Sequence, residues 1–146
     1  MIALLQRVTE ASVIINGDSV AAIGQGLLVL VGVEKNDTEK QLQRLAERLL
    51  SYRVFADADE KMNLDVRQVN GELILVPQFT LAANTNKGKR PSFSSAAPPA
   101  LGKQLFEQFV EEVSRSYNKV QCGVFGADMQ VSLVNDGPVT FWLQVD

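Results

Sequence analysis

Apolar and polar positions along this chain fall into short strand-like stretches broken by turn chemistry, with two longer helical stripes between them. Residues 1–8 are apolar and β-favouring, and Ser12–Ile15 continues in the same style. Asn16-Gly17-Asp18 interrupts them, and Val20–Ile23 returns as a second strand. Asn-Gly supplies the positive φ angles that a tight hairpin demands. Gly24-Gln25-Gly26 breaks the chain again, and the run Leu27-Leu-Val-Leu-Val-Gly-Val33 that follows suits a strand covered on both faces.

Asp37 and Thr38 are helix starters, and Leu42, Leu45, Leu49 and Tyr52 then keep helical spacing with Lys, Arg and Glu between them. Val54-Phe55 reads as a short strand before a polar turn at Asp57–Lys61. Glu72–Val76 is an apolar run leading directly into Pro77-Gln78-Phe79-Thr80-Leu81, and Asn84–Ser95 is a polar loop. Pro98-Pro99 opens a second helix, roughly 99–117, with Leu101, Leu105, Phe106, Phe109 and Val113 as its buried stripe. Met129–Val134 alternates as a strand, Asn135-Asp136-Gly137-Pro138 turns, and Val139–Val145 goes back, so the chain is expected to end in a hairpin. The expected fold is a single α+β domain over residues 1–146, a mostly antiparallel sheet with two helices.

Composition narrows the chemistry. The chain has 146 residues and no histidine, which removes Ser-His-Asp and Cys-His machinery, histidine general bases and nearly all zinc sites. The one cysteine, Cys122, allows no internal disulfide and fits a reducing, cytoplasmic setting. No signal peptide is expected at the N-terminus, and no apolar run approaches a membrane span. The net charge of -3 means that a nucleic-acid partner must be met by a local basic patch. Lys87, Lys89 and Arg90 are the candidate. Gly24-Gln25-Gly26 lacks the third glycine of a dinucleotide loop, and Asp57, Asp59 and Glu60 lack the spacing of a calcium loop.

Two segments invite a functional reading. In Pro77-Gln78-Phe79-Thr80 a strand ends on a proline, which cannot donate to a ladder, just where polar side chains begin. In Asn135-Asp136-Gly137-Pro138, glycine frees one torsion and proline restricts the next, so the turn can aim its carbonyl oxygens in a fixed direction. With these the chain resembles the D-aminoacyl-tRNA deacylase family, once called D-tyrosyl-tRNA deacylases. The resemblance runs end to end: Ile2–Val8, Gly26–Glu34, Lys61-Met-Asn-Leu64, Gln78-Phe-Thr-Leu81, Arg90-Pro-Ser-Phe93 and Ala127–Thr140. One departure stands out, since Pro77 occupies the place of the family's serine.

The resemblance implies a barrel-like sheet with flanking helices, a homodimer, and active sites at the subunit interface. It implies that Gly137-Pro138, cis in the family, reaches from one protomer to the partner's Gln78-Phe79-Thr80. Arg7 then buttresses the turn, and Phe125 and Met129 wall the terminal adenosine. The implied reaction is hydrolysis of the ester in D-aminoacyl-tRNA, and in glycyl-tRNA mischarged on alanine tRNA. No metal or organic cofactor, DNA or membrane takes part. Main-chain N–H groups around Phe79-Thr80 would stabilise the oxyanion, with help from the terminal ribose 2′-hydroxyl. Two alternatives remain open at this level: Thr80 as a nucleophile, and a tRNA-end binding module without turnover, which the loss of the serine at position 77 favours.

Overall fold

The computed structural model describes residues 1–146. The chain opens with a long strand, β1 (Ile2–Ile15), which turns through Asn16 (φ 50°) and Gly17 (φ 83°) into β2 (Asp18–Ile23). Both turn residues have the positive φ of the tight hairpin expected from Asn-Gly. Next come β3 (Gly26–Gly32), α1 (Glu39–Ser51), the short pair β4 (Phe55–Ala56) and β5 (Met62–Leu64), and β6 (Glu72–Pro77). A 3-10 turn (Phe79–Ala82), α2 (Pro99–Ser116), β7 (Val120–Cys122) and β8 (Gln130–Gln144) complete the order.

The main sheet runs β2-β1-β3-β6-β7, with β8 on the other edge of β1. The pairs of β1 with β2, β3 and β8 are antiparallel, as expected, but β3–β6 and β6–β7 are parallel. The helices explain the mixture. Parallel neighbours need a long crossover, and α1 and α2 are the crossovers before β6 and β7. The Gln121 side chain then ties β7 to β2, accepting from Ala22 N and donating to Ala22 O, both at 2.9 Å. A side-chain amide thus imitates a peptide group and draws the sheet towards a barrel.

The continuous apolar run of β3 serves two cores. Leu27, Val29 and Val31 face the helices, where they meet Leu42, Leu45, Phe106 and Phe109. Leu28 joins Val8, Val13, Ile74 and Val76 in a second cluster on the opposite face. Leu42, Leu45 and Leu49 of the α1 stripe are buried as their spacing predicts, each contributing about 1.5–3 kcal/mol, whereas Tyr52 is the half-buried C-cap just past the helix. Thr38 caps this helix in a capping box with Gln41. Asp37, expected to share in starting the helix, instead accepts the buried Met1 ammonium at 2.8 Å and Glu34 N at 2.7 Å.

The expected terminal hairpin is not formed. Residues 130–144 make one strand that runs antiparallel along nearly all of β1, from Ile2↔Gln144 to Ile14↔Gln130. Turn chemistry at Asn135–Pro138 produces a bulge rather than a reversal, because β1 offers a partner on both sides of it. No helix is long and apolar enough to cross a membrane.

Candidate active site

The end of β6 explains how a proline fits a sheet interior. Alternate residues of this strand donate to opposite neighbours. Gln78 N donates to Val31 O at 2.7 Å on the β3 side, whereas Leu73 N donates to Lys119 O at 2.9 Å on the β7 side. An N–H at position 77 would face the β7 side, where that strand has already ended at Cys122. Pro77 therefore forfeits little, and its ring lies beside Gly123, where an added Cβ would stand 3.5 Å from Pro77 Cδ and 2.7 Å from Met129 Sδ.

Beyond Pro77 the chain winds into the 3-10 turn, with Leu81 N donating to Gln78 O at 3.2 Å and Ala83 N to Thr80 O at 3.1 Å. Phe79 and Thr80 are its first two residues, and the first N–H groups of a helix have no acceptor within it. The Gln78 side-chain amide donates to the Thr80 hydroxyl. No histidine exists to deprotonate that hydroxyl. The groups with displaced pKa values lie elsewhere. A hydrogen bond from Asn63 and then main-chain N–H groups hold Asp57 low, Asp65 is lowered too, and burial pushes Tyr117 and Cys122 up.

Two cavities meet at this turn. The first, about 260 Å³, lies between Pro77–Phe79, Val31 and Val33 of the β3 end, and Pro99, Gly102 and Phe106 of α2. The second, about 300 Å³, is lined by Val76–Phe79, Phe125–Met129 and Val131. Pro77, Gln78, Phe79, Phe125 and Gly126 form the wall common to both. Gln78, Phe79, Phe125 and Met129, all expected at the site, thus converge on the second cavity. Thr80 is exposed just beyond it. Sequence reasoning missed the α2 contribution, because Phe106 belongs to a stripe that reads simply as core. Only the absence of a side chain at Gly102, where a Cβ would stand 3.3 Å from the Phe125 ring, marks the special packing.

Gly137 and Pro138 line neither cavity. They project from β8, where Gln6↔Thr140 and Val8↔Asn135 are successive pairs, so four residues (136–139) stand opposite Arg7 alone. The Gly137–Pro138 peptide is cis, and Gly137 has φ 136°. Asn135 staples the base of the bulge, accepting from Val139 N at 2.7 Å and donating to the Thr140 hydroxyl at 2.9 Å. Arg7 holds its flank, donating to Asp136 O at 3.0 Å and Val54 O at 2.7 Å. Arg7 was expected here. Asn135 and Thr140 were not, although their places two residues before Gly137 and two after Pro138 are the signal that marks them.

The basic residues sit on a loop closed at its base by Asn84 and Ser92, whose main chains exchange hydrogen bonds of 2.8 Å and 3.0 Å. Lys87, Lys89 and Arg90 are exposed and make no ion pair. The chain leaves the loop through Phe93, whose ring lies 5.2 Å from that of Phe79 at an angle of 47°. The loop and the strand end are therefore neighbours in space.

Residues 4–144 match the family model described as D-Tyr-tRNA(Tyr) deacylase. The chain belongs to this family. Full-length relatives agree, among them the D-aminoacyl-tRNA deacylases of Escherichia coli O81 (strain ED1a), 59% identical, and Haemophilus influenzae (strain PittEE), 57% identical; each match covers 99% of this chain and 100% of the relative. A solved structure of the c-Myc DNA Unwinding Element Binding Protein superposes with a TM-score of 0.96 at 38% identity, covering 100% of this chain and 99% of that one. A probable eukaryotic D-amino acid tRNA deacylase shares the fold, with a TM-score of 0.87 at 17% identity over 99% of this chain and 98% of that one.

Proposed function

We propose that this chain hydrolyses the ester of D-aminoacyl-tRNA, and of glycyl-tRNA mischarged on alanine tRNA, releasing the free amino acid and tRNA. Alongside family membership, the observation that carries this reading is the turn at Phe79-Thr80, which presents main-chain N–H groups beside two largely apolar cavities in a chain without histidine. Ester hydrolysis asks for little more. Water attacks the carbonyl carbon, and the oxyanion that forms accepts hydrogen bonds from Phe79 N and Thr80 N. Collapse then breaks the bond to the ribose 3′-oxygen, which leaves with a proton. The neighbouring 2′-hydroxyl positions the water, a role DNA has no group to fill. One such main-chain donor is worth about 2.7–4 kcal/mol in the transition state.

Selection by handedness needs a rigid probe at the α-carbon. In this reading the carbonyls of Gly137-Pro138, from the second protomer of a homodimer, accept the α-ammonium and leave no room where an L side chain would project. Glycine, lacking that side chain, passes. Support for the second copy comes from β8, which pairs only with β1 and leaves its other edge open, with Val134, Phe141 and Trp142 exposed. Open apolar edges invite another chain. Phe125 and Met129 enclose the terminal adenosine, and the setting is the cytoplasm, where aminoacyl-tRNA is used.

The deciding experiment is release of D-tyrosine from D-tyrosyl-tRNA in the presence of a chelator, with L-tyrosyl-tRNA alongside. Binding without turnover would replace this reading by that of a tRNA-end binding module. Thr80→Ala is expected to keep kcat/KM within about ten-fold of wild type, since a hydroxyl without a base is a poor nucleophile. Near-complete loss would instead make Thr80 the nucleophile. The triple variant Lys87→Ala, Lys89→Ala, Arg90→Ala is expected to flatten the salt dependence of tRNA binding. On a single strand each phosphate no longer neutralised takes roughly 0.7 from the log–log slope, so the three together reduce it by about 2. An unchanged slope would remove the loop from the RNA interface.

A further inference from the structure

We propose that Phe93, together with Phe79, is a stacking platform for the base that precedes the esterified nucleoside of the RNA. This inference rests on the deacylase reading and extends its substrate contact by one nucleotide. Phe79 and Phe93 are 56% and 43% exposed, and their rings lie tilted against each other with much of both left open. Large aromatic rings left in water side by side are a cost unless something covers them.

Their position says what does. Phe79 belongs to the wall of both cavities, so one side of the pair adjoins the place of the terminal nucleoside. Phe93 directly follows Ser92, which closes the loop that carries Lys87, Lys89 and Arg90, so the pair stands where the chain bearing the unpaired cations returns to the strand end. A strand that ends in the cavity and carries its phosphates to the loop must cross the pair. Unpaired bases crossing such a surface stack on aromatic rings, and the contact is tolerant of sequence because every base has a π-face. Phe93 lines no main cavity and donates nothing to the reacting ester, so its contribution is to binding.

The test compares D-tyrosyl-tRNA with 3′-O-D-tyrosyl-adenosine, which has no preceding base, on wild type, Phe93→Ala and Phe93→Tyr. For Phe93→Ala the ratio of kcat/KM for tRNA to that for the nucleoside is expected to fall by about five-fold or more, the loss residing in KM. Phe93→Tyr keeps a ring and is expected to keep the ratio. Equal loss on both substrates would overturn the proposal, because a ring that merely supports Phe79, or is covered by a second copy of the chain, affects both alike. An unchanged ratio in Phe93→Ala would overturn it too. A wild type inert toward both substrates would overturn the deacylase reading and this proposal together.

Discussion

Replacing Gly137 with alanine is expected to lower kcat/KM for D-tyrosyl-tRNA by about a hundred-fold or more, and to erode the preference for D over L. A Cβ built at Gly137 stands 2.7 Å from Val139 Cγ2 and 3.2 Å from both Arg7 Nη2 and Val139 N. Neither neighbour can retreat freely. Val139 is buried with its N–H held by Asn135, and Arg7 is committed to the carbonyls of Val54 and Asp136. The φ of 136° is a second obstacle, since L side chains rarely adopt it. The bulge must therefore reshape, and its carbonyls move by a distance comparable to the tolerance of a catalytic contact. The fold should survive, because residues 136–139 lie outside the β1–β8 ladder. Circular dichroism and single-turnover hydrolysis of both isomers check this. A variant that still cleaves D-tyrosyl-tRNA within about three-fold of wild type and still spares the L isomer would remove the gate from Gly137.

The second large effect concerns stability. Asp37→Ala is expected to destabilise the fold by about 3 kcal/mol, at the lower end for loss of one partner from a buried pair. The Met1 ammonium and the Asp37 carboxylate are 0% and 5% exposed, 2.8 Å apart. Asp37 also accepts from Glu34 N, so the same substitution strips a second donor. The ammonium would keep Glu34 at 2.8 Å and the Val145 carbonyl at 2.7 Å, which sets the expected effect at the lower end. Calorimetry should show a melting temperature lower by about 6–12 °C, at roughly 2–4 °C per kcal/mol for a chain of this size. A fall under about 2 °C would show that Glu34 suffices. Since Asp37 is remote from the strand end and the bulge in sequence and in hydrogen bonding, turnover at low temperature separates this effect from that of Gly137→Ala.

How far the site could be read from the residues depended on the range of the forces involved. Asn16-Gly17, Thr38 with Gln41, and Pro99 at the start of α2 act within a few residues, and each does what its local chemistry predicts. Arg7, Gly137 and Pro138 were identified as one unit through resemblance, and Arg7 does hold the bulge. Nothing local in Gly102 or Phe106 points to a cavity. Their part depends on α2 lying across the end of β6.

The same distinction separates two parts of the molecule more generally. Element types, the apolar stripes, the lack of histidine chemistry and the unusual segments at positions 77–80 and 135–138 are properties of short stretches, set by torsional preference and by which side chains avoid water. Strand partners are not. Asn135–Pro138 has the chemistry of a reversal, yet becomes a bulge because β1 is long enough to pair with both flanks at once. Pro77 is admissible only because β7 stops at Cys122. Both outcomes follow from hydrogen bonds made between residues far apart along the chain, and such bonds exist only once the sheet is assembled.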